Sequence, residues 1–231
     1  MYDIKPVEII NDQPWIKSYS QRVRNIFEAK KSRLKVVMYL YEGPDTSTYR
    51  YRVYNMCQAL DISLSWRGVC FYRDELESVE QYLDNIDLLV VARFRWSLEL
   101  ERIVTRAKSK GLKVAFEVDD MVYDKKYIST IVNTLSVNMA SQADYDYWFA
   151  YTSRMNSTAL MCDAVITTND FLAEKMQKDI GVNAYVIQNF LNRQQQEASA
   201  EYFKQKQGMY YRDKFVIGYF SGTPSHINDF L

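Results

Sequence analysis

The chain has 231 residues, of which 48% are hydrophobic and 25% are charged, so it can bury a sizeable core. Lysine plus arginine equals aspartate plus glutamate at 29 each, which argues against the broad basic field of a nucleic-acid-binding protein. No apolar stretch is long enough to span a bilayer, and the first residues lack the apolar run of a signal peptide.

Three cysteines, Cys57, Cys70 and Cys162, occur without a Cys-x-x-Cys pair. This spacing favours small buried thiols over a disulfide framework or a zinc site, and it fits a reducing cytoplasm. Tyrosine is abundant at 19 residues, which suits either a broad contact surface or an aromatic core.

The N-terminal segment, residues 1–33, stands apart from the rest of the chain. Apolar residues recur at helical spacing after Pro14, with Trp15, Tyr19 and Val23 among them. We expect an amphipathic helix that packs on the adjoining domain. Contact with a membrane surface, which would place the protein at the inner face of the cell membrane, is the alternative.

Strand and helix patterns then alternate along the chain. Six apolar runs predict strands at 35–41, 62–69, 87–92, 113–118, 164–167 and 184–187. Helical patterns lie between them, at about 46–60, 74–83, 98–110, 128–135 with 144–161, and 169–180. This alternation predicts a doubly wound α/β domain of Rossmann-like type with a mostly parallel sheet.

The C-terminal part suggests a further unit. Residues 193–213 are polar and helix-prone and are interpreted as a linker, and residues 214–220 predict a seventh strand. We therefore expect a main domain at 34–192 and, at 214–231, the first strand and loop of a second, incomplete α/β domain.

Ligands of open α/β sheets bind beyond the carboxyl ends of the strands, which directs attention to four loops. The first follows strand one and contains Gly43, Arg50 and Arg52. It has no Gly-x-Gly-x-x-Gly fingerprint, so a dinucleotide site is disfavoured. Arginine suits phosphate or carboxylate, but Arg50 and Arg52 do not share a helix face, so at most one is expected in the cleft. Surface pairing of both is the alternative.

The second loop follows strand three and carries Arg93. Arg93 could contact a phosphate or an acceptor, or it could lie in a solvated loop whose aromatic residues pack against the domain. The third follows strand four and carries Asp119 and Asp120. These carboxylates could act as a base, accept hydrogen bonds from sugar hydroxyls, or cap the loop; metal binding is disfavoured because no histidine is near. The fourth loop contains Ser221, Gly222 and the single histidine, His226.

In order along the chain, four segments resemble the GT-B glycosyltransferases, in particular glycosyltransferase family 4. They are Tyr51-Arg52-Val53-Tyr54-Asn55, Phe116-Glu117-Val118-Asp119-Asp120 with Tyr123-Asp124, Cys162–Thr168 with Val186-Ile187-Gln188-Asn189, and Ile217–Gly222 with His226 and Asp229. The likeness covers most of residues 35–231. The order of these segments along the chain carries the resemblance.

The resemblance implies two Rossmann-like domains that face each other across a cleft, the first for a glycan or lipid-linked glycan acceptor and the second for a nucleotide sugar. It implies a hexosyltransferase of retaining type in cell-surface polysaccharide synthesis, with the nucleotide sugar as substrate and with no resident cofactor or metal. On this basis Asp119 and Asp120 are predicted to be catalytic. Substrate binding is predicted for Gly43, Arg50, Arg52, Arg93, Asn189, Ser221, Gly222 and His226.

The chain also departs from the family pattern. Gln188-Asn189-Phe190 stands where Pro-Asn-Gly is usual, and the basic pair and Glu-x7-Glu motif of the donor site would lie beyond Leu231. We therefore expect little or no transfer by this polypeptide alone. A non-catalytic Rossmann-like module that binds a glycan or a protein remains the alternative, and a nicotinamide-dependent enzyme is disfavoured by the missing glycines.

Overall fold

Six strands form one sheet, all of them parallel, in the order β2-β1-β3-β4-β5-β6. The computed structural model describes residues 15–43, 47–134 and 141–206. The strands are β1 (Lys35–Tyr41), β2 (Trp66–Tyr72), β3 (Leu88–Ala92), β4 (Lys113–Glu117), β5 (Ala164–Thr167) and β6 (Asn183–Val186). The predicted seventh strand lies outside the described residues.

Helices connect the strands and close both ends of the described chain. Helix α1 is Tyr19–Lys31, and α2 runs through Ser47–Tyr49, a π-helical stretch at Arg50–Tyr54, and Asn55–Ile62. Segment α3 combines Arg73–Glu75, Leu76–Val79 and Glu80–Asn85, of which the first and last are 3-10 turns. The others are α4 (Leu98–Ser109), α5 (Ile128–Thr134), α6 (Gln142–Met161), α7 (Asp170–Ile180) and α8 (Arg193–Lys206).

Both faces of the sheet carry helices, so the predicted doubly wound, Rossmann-like architecture is confirmed. One face packs against α1, α3, α4, α6 and α7 through residues such as Ile26, Leu100 and Met176. The opposite face packs against α2, where Val53 meets Tyr39 in a second buried cluster. Among the helices that the structure describes, none is long and apolar enough to cross a bilayer.

Helix α1 is part of this packing, as the sequence predicted. Ile26 is completely buried, and the Arg22 side chain is 5% exposed. Its guanidinium donates to both carboxylate oxygens of Glu75, at 2.5 and 2.7 Å, and to the backbone oxygen of Cys70 at 2.9 Å. Arg22 thus ties α1 to the start of α3 through a bidentate ion pair with Glu75, and to β2 through the Cys70 backbone oxygen.

The predicted bounds of the second strand, 62–69, are wrong. Alternation at Ile62 and Leu64 suggested a strand, but Ile62 ends α2 and Leu64 is 94% exposed. The strand instead starts at Trp66, opposite Lys35, and ends at Tyr72. Pairing with β1 decides the register, because it places Val69 and Phe71 in the core on one face.

The loop after β4 is held to α7 by a buried acceptor. The Asp179 carboxylate accepts hydrogen bonds from Tyr127 at 2.8 Å and Tyr123 at 3.0 Å, and it pairs with Lys126. Burial would raise the pKa of Asp179, but these donors outweigh burial and hold the pKa below its usual range. Asp124 caps the next turn by accepting from Lys126 N at 3.0 Å.

We predict that Asp179→Asn lowers the free energy of unfolding by about 1–3 kcal/mol at pH 7. Because the folded-state pKa is depressed, this stabilisation is present above the unfolded pKa of about 4 and is lost as pH falls through the folded value. Urea titrations at several pH values should therefore converge for the two proteins in acid. Asp170→Asn, an exposed position on the same helix, is the control; a difference for Asp179→Asn that stays constant with pH would contradict the prediction.

We also predict that Gly68→Ala costs about 1–3 kcal/mol, because overpacking forces the backbone apart. A Cβ at Gly68 would overlap the Cys57 Cα and lie 2.9 Å from the Cys57 Cβ, so β2 and α2 could not both keep their places. Gly43→Ala is the matched control, since a Cβ there meets no atom within 4 Å. Equal melting temperatures for the two variants would refute this account.

Candidate functional site

The sheet has a topological switch point between β1 and β3. Chain order runs outward from β1 to β2 on one side and from β3 to β6 on the other. Tyr41 and Ala92, the last residues of these strands, are register partners. Glu42 and Arg93 come directly after them, so two charged side chains stand where open α/β sheets bind ligands.

Arg93 is held in an unusual conformation at this edge. Its φ of 41° lies in the left-handed region, which is strained for a bulky side chain. Its backbone N–H donates to the backbone oxygen of Glu117 at 2.7 Å. Its Nη1 donates to the carboxylates of Asp119 at 2.9 Å and Asp120 at 2.8 Å, and to the Thr48 hydroxyl at 3.3 Å. Burial works against the charge, but Asp119 and Asp120 raise the pKa of Arg93 above its usual value.

The two predicted catalytic carboxylates therefore meet at one guanidinium. The Asp119 side chain is 18% exposed and that of Asp120 is 56% exposed. Arg93 fixes both side chains and offsets one of their two negative charges, and the Asp120 side chain is the more exposed of the two. Their catalytic role stays a prediction, as does substrate contact by Arg93.

A second ion-pair group adjoins the first, and sequence reasoning missed its centre, Glu42. This carboxylate accepts from the backbone N of Arg95 at 2.7 Å, from the Arg95 Nε at 2.8 Å and from Arg73 at 2.5 Å. The available signal was position, because Glu42 comes directly after a buried strand. Together, Glu42, Arg73, Arg93, Arg95, Asp119 and Asp120 form what we call the edge cluster.

Aromatic side chains of α6 border the edge cluster. The rings of Tyr147, Trp148 and Tyr151 lie with centroids 5.3–6.0 Å apart. The Arg95 guanidinium lies 5.2 Å from the Tyr151 centroid, and Tyr151 also helps to raise the pKa of Arg93. Tyr147 is 52% exposed, so part of this aromatic surface faces solvent next to the charged groups.

Arg52 lies behind the edge cluster in a buried ion pair with Glu117. Both side chains are almost fully buried, and Arg52 Nη1 also donates to the Ile187 oxygen at 2.8 Å and to Asn189 Oδ1 at 3.0 Å. Burial pushes the pKa of Glu117 upward, and the contact with the Arg52 guanidinium opposes that effect. This geometry favours a positioning role for Arg52 over the predicted direct contact with substrate.

The remaining predicted residues are spread over the structure. Arg50 stacks on Trp15 at 4.1 Å, so Arg50 and Arg52 point in different directions, as their spacing required. Gly43 follows Glu42 at the edge, and exposed Asn189 is tied to Arg52. Ser221, Gly222 and His226 lie outside the described residues.

Two other features bear on where a ligand could bind. Within residues 15–43, 47–134 and 141–206, no group of three or more His, Cys, Asp or Glu side chains could hold a metal ion. A groove on the face of β4–β6 is lined mainly by apolar residues such as Ala115, Ile166, Tyr185 and Ile187. The edge cluster does not line it, so the groove and the polar chemistry are separate.

No family model and no curated protein matches the chain. Solved structures that match part of the chain include a carbohydrate transporter from Acidothermus cellulolyticus in complex with myo-inositol, with 12% identity, 68% of this chain and 73% of that chain covered, and a TM-score of 0.35. A phosphoglycerate oxidoreductase from Vibrio cholerae has 8% identity, 67% and 62% coverage, and a TM-score of 0.26. Scores at this level carry no functional argument.

We predict that Arg52→Met destabilises the protein by about 3–5 kcal/mol, because Glu117 loses its buried partner. In Arg52→Met with Glu117→Leu no unpaired carboxyl remains, so the double variant should be more stable than Arg52→Met alone. Some loss should persist, since the contacts to Ile187 and Asn189 are also removed. Urea unfolding of Arg52→Met, of Glu117→Leu and of the double variant measures the coupling between the two side chains. Losses in the free energy of unfolding that simply add would exclude such coupling.

Proposed function

We propose that residues 34–192 form the acceptor-side domain of a glycosyltransferase, which moves a sugar from a nucleotide-sugar donor to a glycan acceptor. The edge cluster would hold the acceptor. The observation that carries the proposal is the meeting of Asp119, Asp120 and Arg93 at the switch point of the sheet. The resemblance of the four ordered sequence segments to glycosyltransferase family 4 supports it.

The chemistry of the edge cluster suits a sugar. Carboxylates accept hydrogen bonds from hydroxyl groups, and guanidinium groups donate to hydroxyl oxygens. The α6 aromatic side chains supply flat apolar surface beside these polar groups, which matches a pyranose ring with its hydroxyl rim and its C–H faces. An equal number of acidic and basic side chains in the edge cluster favours a neutral or weakly charged sugar over a polyanion.

Transfer requires that the acceptor hydroxyl is oriented and that the leaving diphosphate is stabilised. The Asp120 side chain, which is 56% exposed at this edge, would orient the acceptor hydroxyl. Arg93 and Arg95 supply positive charge at the same edge, although carboxylates already share it. In this proposal the nucleotide sugar is a substrate brought from a second domain, and the protein holds no resident cofactor.

Glycan binding tests the proposal. The 231-residue chain is passed over immobilised oligosaccharides built from neutral hexoses, N-acetylhexosamines or uronic acids, and each glycan that retains the chain is then used in a binding titration. We expect Asp119→Asn to weaken binding about tenfold, corresponding to about 1.4 kcal/mol for a charged hydrogen bond. Tyr147→Ala should also weaken it, because it removes exposed ring surface.

Asp84→Asn provides the matched control. Asp84 is an exposed aspartate that pairs with Lys110 at 2.5 Å, and it precedes β3, at the opposite edge of the sheet. Its neutralisation should leave glycan binding unchanged. Retention of no glycan class by the wild-type chain, or equal binding by Asp119→Asn and Asp84→Asn, would refute the acceptor-site proposal. Glycan binding without any transfer by a protein that carries a donor domain would instead favour a non-catalytic module.

A further inference from the structure

Two of the three cysteines meet between α2 and β2. Gly68 and Cys70 share one face of β2, and a Cβ at Gly68 would lie 3.0 Å from the Sγ of Cys57. The Cys57 and Cys70 thiols are hydrogen-bond partners, and each is buried. Cys57 and Cys70 thus form a dithiol pair that their spacing in the sequence, which contains no Cys-x-x-Cys motif, does not predict.

The surroundings favour negative charge on one sulfur of the pair. The Arg22 guanidinium donates to the Cys70 backbone oxygen at 2.9 Å, and its positive charge lies close to the Cys70 sulfur. The hydrogen bond from Cys57, with the nearby charges of Arg22 and Lys17, lowers the pKa of Cys70 in spite of burial, while the same hydrogen bond raises the pKa of Cys57. Cys70 is therefore placed as the nucleophile and Cys57 as its neighbouring thiol.

A small cavity adjoins the pair. Cys57 and Cys70 both line it, together with Lys17, Arg22 and Asn25. Its volume of about 20 Å³ accommodates a molecule of roughly the size of water. A hydroperoxide as small as hydrogen peroxide is of this order, whereas a bulky disulfide reagent would not fit.

We propose that Cys57 and Cys70 are a peroxide-sensitive modification site, at which hydrogen peroxide converts the two thiols into a disulfide between α2 and β2. This inference is independent of the proposed function. It rests on the contact between the two thiols and on the cavity that they share.

The reaction balances in two steps. The Cys70 thiolate attacks one peroxide oxygen, the O–O bond breaks, and the departing hydroxide takes a proton to become water, which leaves a sulfenic acid on Cys70. The Cys57 sulfur then attacks the Cys70 sulfur, the S–O bond breaks, and the hydroxyl leaves as water with the proton of Cys57. Two thiols lose two electrons, and one hydrogen peroxide gains them and gives two waters.

The third cysteine is an internal control. The Cys162 thiol donates to the Thr158 backbone oxygen at 3.3 Å, and burial raises its pKa to about 12. A buried thiol that is kept protonated reacts slowly with peroxide. Peroxide should therefore oxidise Cys57 and Cys70 and leave Cys162 of the same polypeptide as a free thiol.

The test uses the native 231-residue chain, freed of reductant and treated with hydrogen peroxide. We expect the intact mass to fall by two hydrogen atoms and the free thiols, counted after denaturation in acid, to fall from three to one. Peptide mapping should find Cys57 joined to Cys70, and dithiothreitol should reverse the change. Oxidation of Cys162 at an equal rate, or three intact thiols after treatment, would overturn the proposal.

Variants separate the two sulfurs. Cys57→Ser should stop the reaction at the Cys70 sulfenic acid, which dimedone traps. In Cys70→Ser only the less reactive Cys57 thiol of the pair remains, so this variant should react with peroxide about tenfold or more slowly than the wild-type protein. Cys162→Ala should still form the bond. If Cys57→Ser does not fold, mapping of the wild-type protein decides alone. A disulfide that forms only when peroxide is added to urea-unfolded chain would also overturn the proposal.

Discussion

The buried contact between Arg52 and Glu117 is the constraint on which the carboxyl edge of the sheet depends. It joins α2 to the end of β4, and Arg52 extends the contact to the segment after β6 through Ile187 and Asn189. Two ionisable groups without solvent are costly unless they satisfy each other, so neither helix nor strand can shift alone. The acidic turn after β4 begins from this fixed point.

The edge cluster depends on that placement. The Glu117 backbone oxygen accepts from Arg93, whose left-handed backbone turns its side chain toward Asp119 and Asp120. Arg33 has a similar φ but lies where α1 ends, at a position that commonly adopts this conformation. Arg93 ends no helix, so its strain accompanies a charged site at the switch point, as is typical of functional loops.

Periodicity and apolar runs were sufficient to predict the architecture and five of the six strands, because buried parallel strands leave continuous apolar signatures. The second strand was misplaced, since only its pairing with β1 distinguishes the exposed Leu64 from the buried Val69. At the site, sequence selected Arg93, Asp119 and Asp120 by their positions after strands. It could not reveal that Arg52 is turned inward or that Glu42 bridges two arginines, because partners brought together by folding leave no local pattern.

The start of α8 is tied to α2 by neutral groups, unlike the carboxyl edge. Asn55 donates to the Phe190 oxygen at 2.8 Å, Asn192 donates to Asn55 at 3.1 Å, and the Arg193 backbone N donates to Gln58 at 2.7 Å. Dissolved ions barely screen hydrogen bonds between amide groups, but they do screen the ion pair between Arg93 and the half-exposed Asp120. Rising ionic strength therefore loosens the charged edge selectively, while the path by which the chain leaves the sheet keeps its direction.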